Sequence, residues 1–209
     1  QILQAIKKHG QYLELDTNGS LFSEALWEGI KKFPDAVKIS FDSLDKRKFN
    51  CLTNCTIPNG FENTKRLIDV CVESKIPVTL NIVGTKQNIQ DVMQIVRFAK
   101  DKGINTSLLD LYYTKETHSF WQNNYISVKQ WVDENRDSFE HVESMGDFGC
   151  GFMKMRYNNG KNYLRVKLSE AKTMRDELCA NCKEYCQEGI FTLRLSRQGW
   201  LTSCQSNNG

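Results

Sequence analysis

The chain has 209 residues, 40% hydrophobic and 25% charged, enough for one good core with room for a smaller unit beside it. Its 28 basic and 25 acidic residues leave a formal charge of +3 spread along the sequence, which argues against a nucleic-acid polymer as partner. No apolar run reaches the length of about 18 residues that a membrane span needs, and no basic and apolar leader opens the chain, so a cytoplasmic protein without a membrane partner is expected.

Residues 1–110 alternate helical and extended patterns, the sign of parallel β/α units. A helix over 2–9 is expected to stop at Gly10. Then follow a strand over 12–16, a helix over 23–32, a strand over 37–41, a helix over 60–73, a strand over 78–83, a helix over 89–102 and a strand over 106–112. In the last helix Val92, Ile95, Val96 and Ala99 recur at helical spacing, with Asn88 as expected N-cap and Gly103 as stop. Lys46-Arg47-Lys48 reads as solvated surface. Four parallel strands leave strand 12–16 as a bare edge, and the chain starts at Gln1 inside a helical pattern; both support the expectation of further β/α units upstream. After Thr114 the alternation ends. A helix is expected over 127–135, and strands over 152–157 and 161–166 flank Asn158-Asn159-Gly160, whose Asn-Gly pair suits a tight hairpin turn. Arg197-Gln198-Gly199 marks a second turn between strands over 192–196 and 200–204. The expected organisation is an α/β unit over 1–115 and a linker helix with a cysteine-bearing module over 116–209.

Ligands of parallel α/β folds bind beyond the carboxyl ends of the strands. Here those ends carry Asp16-Thr17-Asn18-Gly19, Ser40-Phe41-Asp42-Ser43, Asn81 with Gly84-Thr85, and Asp110. Each one alone is explained by a turn or a cap. Together they point to one small polar ligand with ribose and amino-acid groups. Asp42 is a general-base candidate in a generic α/β enzyme, whereas His9, His118 and His141 are dispersed and support no catalytic triad. Neither a Gly-x-Gly-x-x-Gly turn nor a phosphate loop occurs.

The cysteines are the strongest chemical signal. Cys179 and Cys182 are two residues apart, Cys186 follows after three more, and Cys204 ends the last expected strand. Four soft thiolates so spaced suit an iron-sulfur cluster or zinc, and spacing does not choose between them. Cys51 and Cys55 lack a third partner, Cys71 falls on the apolar face of a helix, and Cys150 is a lone thiol between glycines.

These residues resemble the radical S-adenosylmethionine (SAM) superfamily, in particular its GTP 3',8-cyclase-like branch, whose members carry an auxiliary iron-sulfur cluster. Thr17-Asn18-Gly19 is similar to the family's Thr-Asn-Gly after the third barrel strand, and Ser40-Phe41-Asp42-Ser43-Leu44-Asp45 to its Ser-Leu-Asp-Ser-Leu-Asp after the fourth. Residues 77–83 resemble the fifth strand with its pocket asparagine, here Asn81, while Leu193-Arg194-Leu195-Ser196, Gly199 and Cys204 resemble the hairpin beside the auxiliary cluster. The resemblance implies a partial (β/α) barrel of radical SAM type, with strands three to six present and a C-terminal β-hairpin and cysteine-rich extension. It further implies that Thr17, Asn18, Ser40 and Asn81 bind SAM, that Asp42 orients the strand-end loop, and that Cys179, Cys182, Cys186 and Cys204 hold an auxiliary [4Fe-4S] cluster with Arg194 on its substrate side. The family's Cys-x3-Cys-x2-Cys loop, ligand of the SAM-binding [4Fe-4S] cluster, is not in this sequence, so this chain alone is expected to be inactive. The intact enzyme is expected to accept an electron from a flavodoxin or ferredoxin, to cleave SAM to a 5'-deoxyadenosyl radical, and to abstract hydrogen from a small-molecule or peptide substrate. GTP 3',8-cyclase of molybdenum-cofactor biosynthesis is the alternative reading, from which two departures set the chain apart. Thr192 stands where the cyclase's first substrate arginine would be, and a fourth thiol, Cys186, would close the iron that binds its nucleotide. A zinc-stabilised α/β binding module and a cofactor-free interaction domain are the rival readings.

Overall fold

The structure, a computed structural model, describes residues 2–21, 23–113, 116–145, 152–157, 161–168, 177–182, 193–196 and 198–204. Helix α1 (Ile2–Lys8) precedes strand β1 (Glu14–Thr17), α2 (Glu24–Lys32) and β2 (Ala36–Ser40). Next come α3 (Lys46–Thr53), α4 (Gly60–Glu73), β3 (Val78–Gly84), a 3-10 turn (Ile89–Asp91), α5 (Val92–Asp101) and β4 (Asn105–Asp110). The remainder contains α6 (His118–Asn124), α7 (Val128–Asn135), β5 (Phe139–Met145), β6 (Phe152–Tyr157), β7 (Tyr163–Lys167) and a small separate pair, β8 (Arg194–Leu195) with β9 (Leu201–Thr202).

Seven strands form one open sheet in the order β1-β2-β3-β4-β7-β6-β5. The α/β class and parallel sheet expected from the sequence are present, without closure into a barrel. Strands β1 to β4 are parallel neighbours, and β7 adds to β4 as a fifth parallel strand before β6 and β5 turn the sheet antiparallel. The expectation of four parallel strands beside a separate hairpin is therefore corrected: the 152–157 hairpin arm and its partner continue the main sheet. Their turn residues 158–160 lie outside the described residues. The physical reason is that β4 would otherwise expose a row of backbone donors and acceptors, which β7 satisfies. The seam carries side-chain bonds as well. Asn105 Oδ1 accepts the Tyr163 N–H at 3.2 Å, and buried Thr106 and Tyr157 join hydroxyl to hydroxyl.

Helix ends follow from sequence chemistry. Ser23 caps α2 by accepting the Leu26 N–H, Asp45 caps α3 through the Lys48 N–H at 2.8 Å, and Ser127 caps α7. Lys46-Arg47-Lys48 is thus the first turn of an unexpected helix, with Lys46 paired to Glu62 and Lys48 to Asp91. Three polar residues with no apolar spacing hid it. The first strand starts later than expected, with Tyr12 70% exposed ahead of it, and the fourth ends at Asp110.

Strands β3 and β7 alternate strictly in burial, whereas β2 and β4 do so only in part. Ile39, Leu80, Ile82, Leu108, Leu164 and Val166 are buried on one face, packed with Leu67, Ile68 and Cys71 of α4, Val92, Ile95, Val96 and Ala99 of α5, and Trp131 and Val132 of α7. Phe41, Phe49, Phe61 and Phe98 close this core below the strand ends, with ring centroids 5.3 to 6.1 Å apart. The opposite face carries polar residues. Parallel strands ordinarily lie buried on both faces and read as continuous apolar runs, so a polar second face marks a surface kept for something other than a second helix layer.

Candidate functional site

Register places the polar face residue by residue. Ser40 of β2 is the neighbour of Asn81 on β3, Asn81 of Ser107 on β4, and Ser107 of Arg165 on β7. One layer down lie Asp16, Lys38 and Thr79. Ser40 and Asn81, two of the sequence-predicted pocket residues, are therefore side by side. Asn81 Oδ1 is buried and has no hydrogen-bond partner among the described residues. An amide oxygen in that state costs about 1–3 kcal/mol unless a donor reaches it, which a ligand with amino or hydroxyl groups would supply.

The Thr-Asn-Gly turn is built differently. Thr17 is in register with buried Ile39, on the helix side of the sheet, and its hydroxyl oxygen accepts the Gly19 N–H at 3.1 Å. Asn18 Oδ1 accepts from the Ser20 N–H and hydroxyl at 3.1 and 3.0 Å, while the Asn18 carbonyl accepts the Thr64 hydroxyl of α4 at 2.9 Å. Gly19 takes φ +67°, and a Cβ there would stand 3.2 Å from Thr64 Cα. The turn is thus pinned to α4, and of its side chains the exposed Asn18 keeps its amide N–H groups without a partner among the described residues. Asn18 also lines a pocket of about 140 Å³ with Ser20, Phe49, Thr53, Asn54, Cys55, Thr56 and Ile57. That volume is below the roughly 300–1,000 Å³ of drug-sized ligand sites, so it holds at most one end of a nucleoside-sized molecule.

The Ser-Phe-Asp-Ser-Leu-Asp segment divides its work. Ser40 joins the polar row, Phe41 the aromatic core, Ser43 accepts the Asp45 N–H at 3.1 Å, and Asp45 caps α3. Asp42 Oδ1 accepts the Val83 N–H at 2.7 Å, which ties the β2 exit to β3. Burial pushes the Asp42 carboxyl up to about 6, against the opposing effect of that bond. Asn88 completes the tie and is fully buried. Its Oδ1 accepts the Thr85 N–H at 2.8 Å and hydroxyl at 3.0 Å, while Nδ2 donates to the carbonyls of Asp42 and Val83 at 3.1 and 3.0 Å. The expectation that Asn88 caps the following helix is corrected: it makes no side-chain cap bond and bridges two strand ends instead. Asp110 similarly serves α7, its Oδ1 accepting the Val128 N–H at 3.0 Å.

Cys179 and Cys182 close one turn, the Cys182 N–H donating to the Cys179 carbonyl at 3.2 Å, with Cys179 half-buried and Cys182 exposed. Cys204 follows β9 and is half-buried; its N–H donates to Thr202 Oγ1 at 3.2 Å. Arg194 is half-buried on β8. Cys186, Cys150 and Thr192 lie outside the described residues. No three histidine, cysteine, aspartate or glutamate side chains gather into a metal site among the described residues. Cys179, Cys182 and Cys204 therefore do not by themselves fit a cluster. Cys71 is buried as expected, and burial raises its thiol to about 11. The sequence reading missed Ser107 and Arg165, and it read Asn88 only as a cap. Period-two alternation in an otherwise parallel sheet was the signal that could have found the first two.

The chain is similar to known proteins in sequence and in fold. The radical SAM superfamily model matches residues 1–99. A probable GTP 3',8-cyclase of Sulfurisphaera tokodaii is 32% identical over 98% of this chain and 60% of its own length, and the GTP 3',8-cyclase of Synechococcus elongatus is 22% identical over 83% and 49%. The chain thus spans about half to three fifths of the length of these two relatives. Among solved structures, Streptococcus suis SuiB, also solved bound to S-adenosylmethionine, shares the fold with TM-score 0.52 and 12% identity, over 81% of this chain and 36% of its own. The chain thus matches the radical SAM superfamily over its first 99 residues and is similar to GTP 3',8-cyclases over nearly its whole length.

Proposed function

We propose that this chain is part of a cytoplasmic radical SAM enzyme, with Ser40, Asn81 and Asn18 binding S-adenosylmethionine at the strand ends and Thr17 holding the turn that carries Asn18. The observation that carries this reading is the buried, unpartnered Asn81 Oδ1 beside Ser40 on the polar face of a parallel sheet. When bound beside a reduced [4Fe-4S] cluster, SAM supplies hydrogen-abstracting radical chemistry, with the electron from a flavodoxin or ferredoxin. The chain's own residues hold and orient. Asn81 accepts from a ligand amino or hydroxyl group, Ser40 offers a hydroxyl one strand away, and Thr17 and Gly19 shape the turn that presents Asn18. Asp42 has its carboxylate committed to the Val83 N–H, a positioning role for the strand-end loop, and is not the base. Equilibrium titration with S-adenosylhomocysteine, which has the same amino-acid and ribose groups, tests the site. Binding that weakens about tenfold in Asn81→Ala supports it; equal binding by both proteins overturns it.

Cys179, Cys182, Cys186 and Cys204 are the proposed ligands of an auxiliary [4Fe-4S] cluster, and Arg194 its neighbour on the substrate side. This assignment rests on their number and spacing. Anaerobic reconstitution with iron and sulfide is expected to give brown protein with roughly four irons per chain. Colourless protein holding one zinc would replace the cluster by a structural metal module. GTP 3',8-cyclase activity is the second reading, favoured by the likeness to such enzymes over 98% of this chain. GTP titrated against the reconstituted protein tests it, and absence of binding would leave the general radical SAM reading in place.

A further inference from the structure

Strand β2 leaves the sheet just past the row that holds Ser40 and Asn81. Backbone bonds between β2 and β3 run from the Val37 N–H and the Pro77 carbonyl, at 2.9 Å, up to the Phe41 N–H and the Asn81 carbonyl, at 2.8 Å. The even spacing of a parallel ladder would carry this on by two residues, with the Val83 N–H donating to the Phe41 carbonyl and the Ser43 N–H to the Val83 carbonyl. Side chains stand in for both. The Val83 N–H donates to Asp42 Oδ1 at 2.7 Å, and the Val83 carbonyl accepts from Asn88 Nδ2 at 3.0 Å. The same Nδ2 donates to the Asp42 carbonyl at 3.1 Å, so one amide joins both strand exits. Asn88 is itself held in place. It is fully buried, its Oδ1 accepts from the Thr85 N–H and hydroxyl, and its N–H donates to the Thr85 carbonyl at 3.2 Å. Strand β3 meanwhile stays beside β4 as far as Gly84, in register with Asp110. Burying a carboxyl and an amide costs more than burying apolar groups of like size; what their directed bonds add is one fixed geometry.

We propose that Asn88 and Asp42 are positioning residues for the ligand of Ser40 and Asn81, a polar clamp that replaces the last backbone rung and fixes how those two side chains stand to one another. The ligand's identity rests on the radical SAM reading; the clamp itself does not. Ser40 and Asn81 lie on different strands, and the last backbone bond between those strands is the one from Phe41 to Asn81. Terminal bonds of a ladder open most readily. With the clamp above it, that bond becomes an interior one, and a ligand that touches both residues meets them already in place. Both positioning residues act through the strands, since the side-chain bonds of Asn88 go to Thr85, Asp42 and Val83, and that of Asp42 to Val83.

Two measurements on the full chain test the clamp. In amide hydrogen exchange, Asn88→Ala is expected to speed exchange of the Phe41 N–H about tenfold, while the Val37 N–H at the far end of the same ladder keeps its wild-type rate. In isothermal titration with S-adenosylhomocysteine, Asn88→Ala should weaken binding about tenfold, yet add less than about twofold when Asn81 is already alanine, because it acts through that residue. Should Asn88→Ala fail to fold, Asp42→Ala loses one bond instead of four and carries the same expectations, with Asp42→Asn, which keeps an oxygen for the Val83 N–H, restoring both readouts. Tyr157→Phe is the control: it weakens the sheet through Thr106, at the entry of β4, and should bind as the wild type does. Unchanged exchange at Phe41, unchanged affinity, or an equal loss of affinity with and without the Asn81 side chain overturns the proposal. Absence of S-adenosylhomocysteine binding by the wild type, with exchange at Phe41 responding as expected, counts against the radical SAM reading alone.

Discussion

Asp42 and Asn88 show how much a single buried polar residue decides. The Asp42 carboxyl is held up at about 6 by burial, although the Val83 N–H favours its charged form. In the unfolded chain it ionises near 3.9. The fold therefore keeps a proton that the unfolded chain has already released between about pH 4 and 6, and stability falls as pH rises through that window. Above it the loss is complete, on the order of 2–3 kcal/mol. Asp42→Asn keeps an oxygen for the Val83 N–H and removes the titration. Denaturation at pH 4 and at pH 7 should show the wild type losing stability between them and the variant staying level; parallel behaviour would mean that Asp42 ionises normally. Asn88 was legible only as a cap. Four bonds to three different residues come from long-range packing of two strand exits, which no local pattern encodes.

At the level of elements, the amphipathic pieces were legible and the polar ones were not. Helix α4 was expected over 60–73 and spans Gly60–Glu73, because Phe61, Leu67, Ile68 and Cys71 recur on one buried face. Helix α3 escaped because its one buried side chain, Phe49, gives no periodicity; Asp45 and the left-handed Asn54 mark its ends instead. The Thr-Asn-Gly turn was legible as a motif, yet its anchoring on α4 was not. Gly19 combines a positive φ with close approach to the Thr64 backbone. Gly19→Ala is expected to cost about 1–3 kcal/mol through both effects, read by thermal denaturation. A matching loss of ligand affinity should accompany it, since the turn presents Asn18. If stability and binding both stay at wild-type values, the turn is looser than its contacts indicate.

On the scale of the whole molecule, the sheet runs across the division expected at residue 115. The sequence showed alternation ending there, which is a property of connectivity. Strand order is a separate matter, because β7 returns to β4 after more than fifty residues to cover its open edge. The buried hydroxyl pair of Thr106 and Tyr157 binds the two parts, and burial raises the Tyr157 phenol well above its usual range. Tyr157→Phe leaves the Thr106 hydroxyl without this partner in the core and should lower stability by about 1–3 kcal/mol. The informative measurement is where that loss appears. Trp27 reports on the residues before 115 and Trp131 on those after it, so denaturation followed in variants retaining one or the other tryptophan separates the two halves. With a single cooperative sheet, Tyr157→Phe shifts both reporters by the same amount. A shift confined to Trp131 would mean that residues after 115 fold as an independent unit, with the β4–β7 seam merely docking it against the parallel strands.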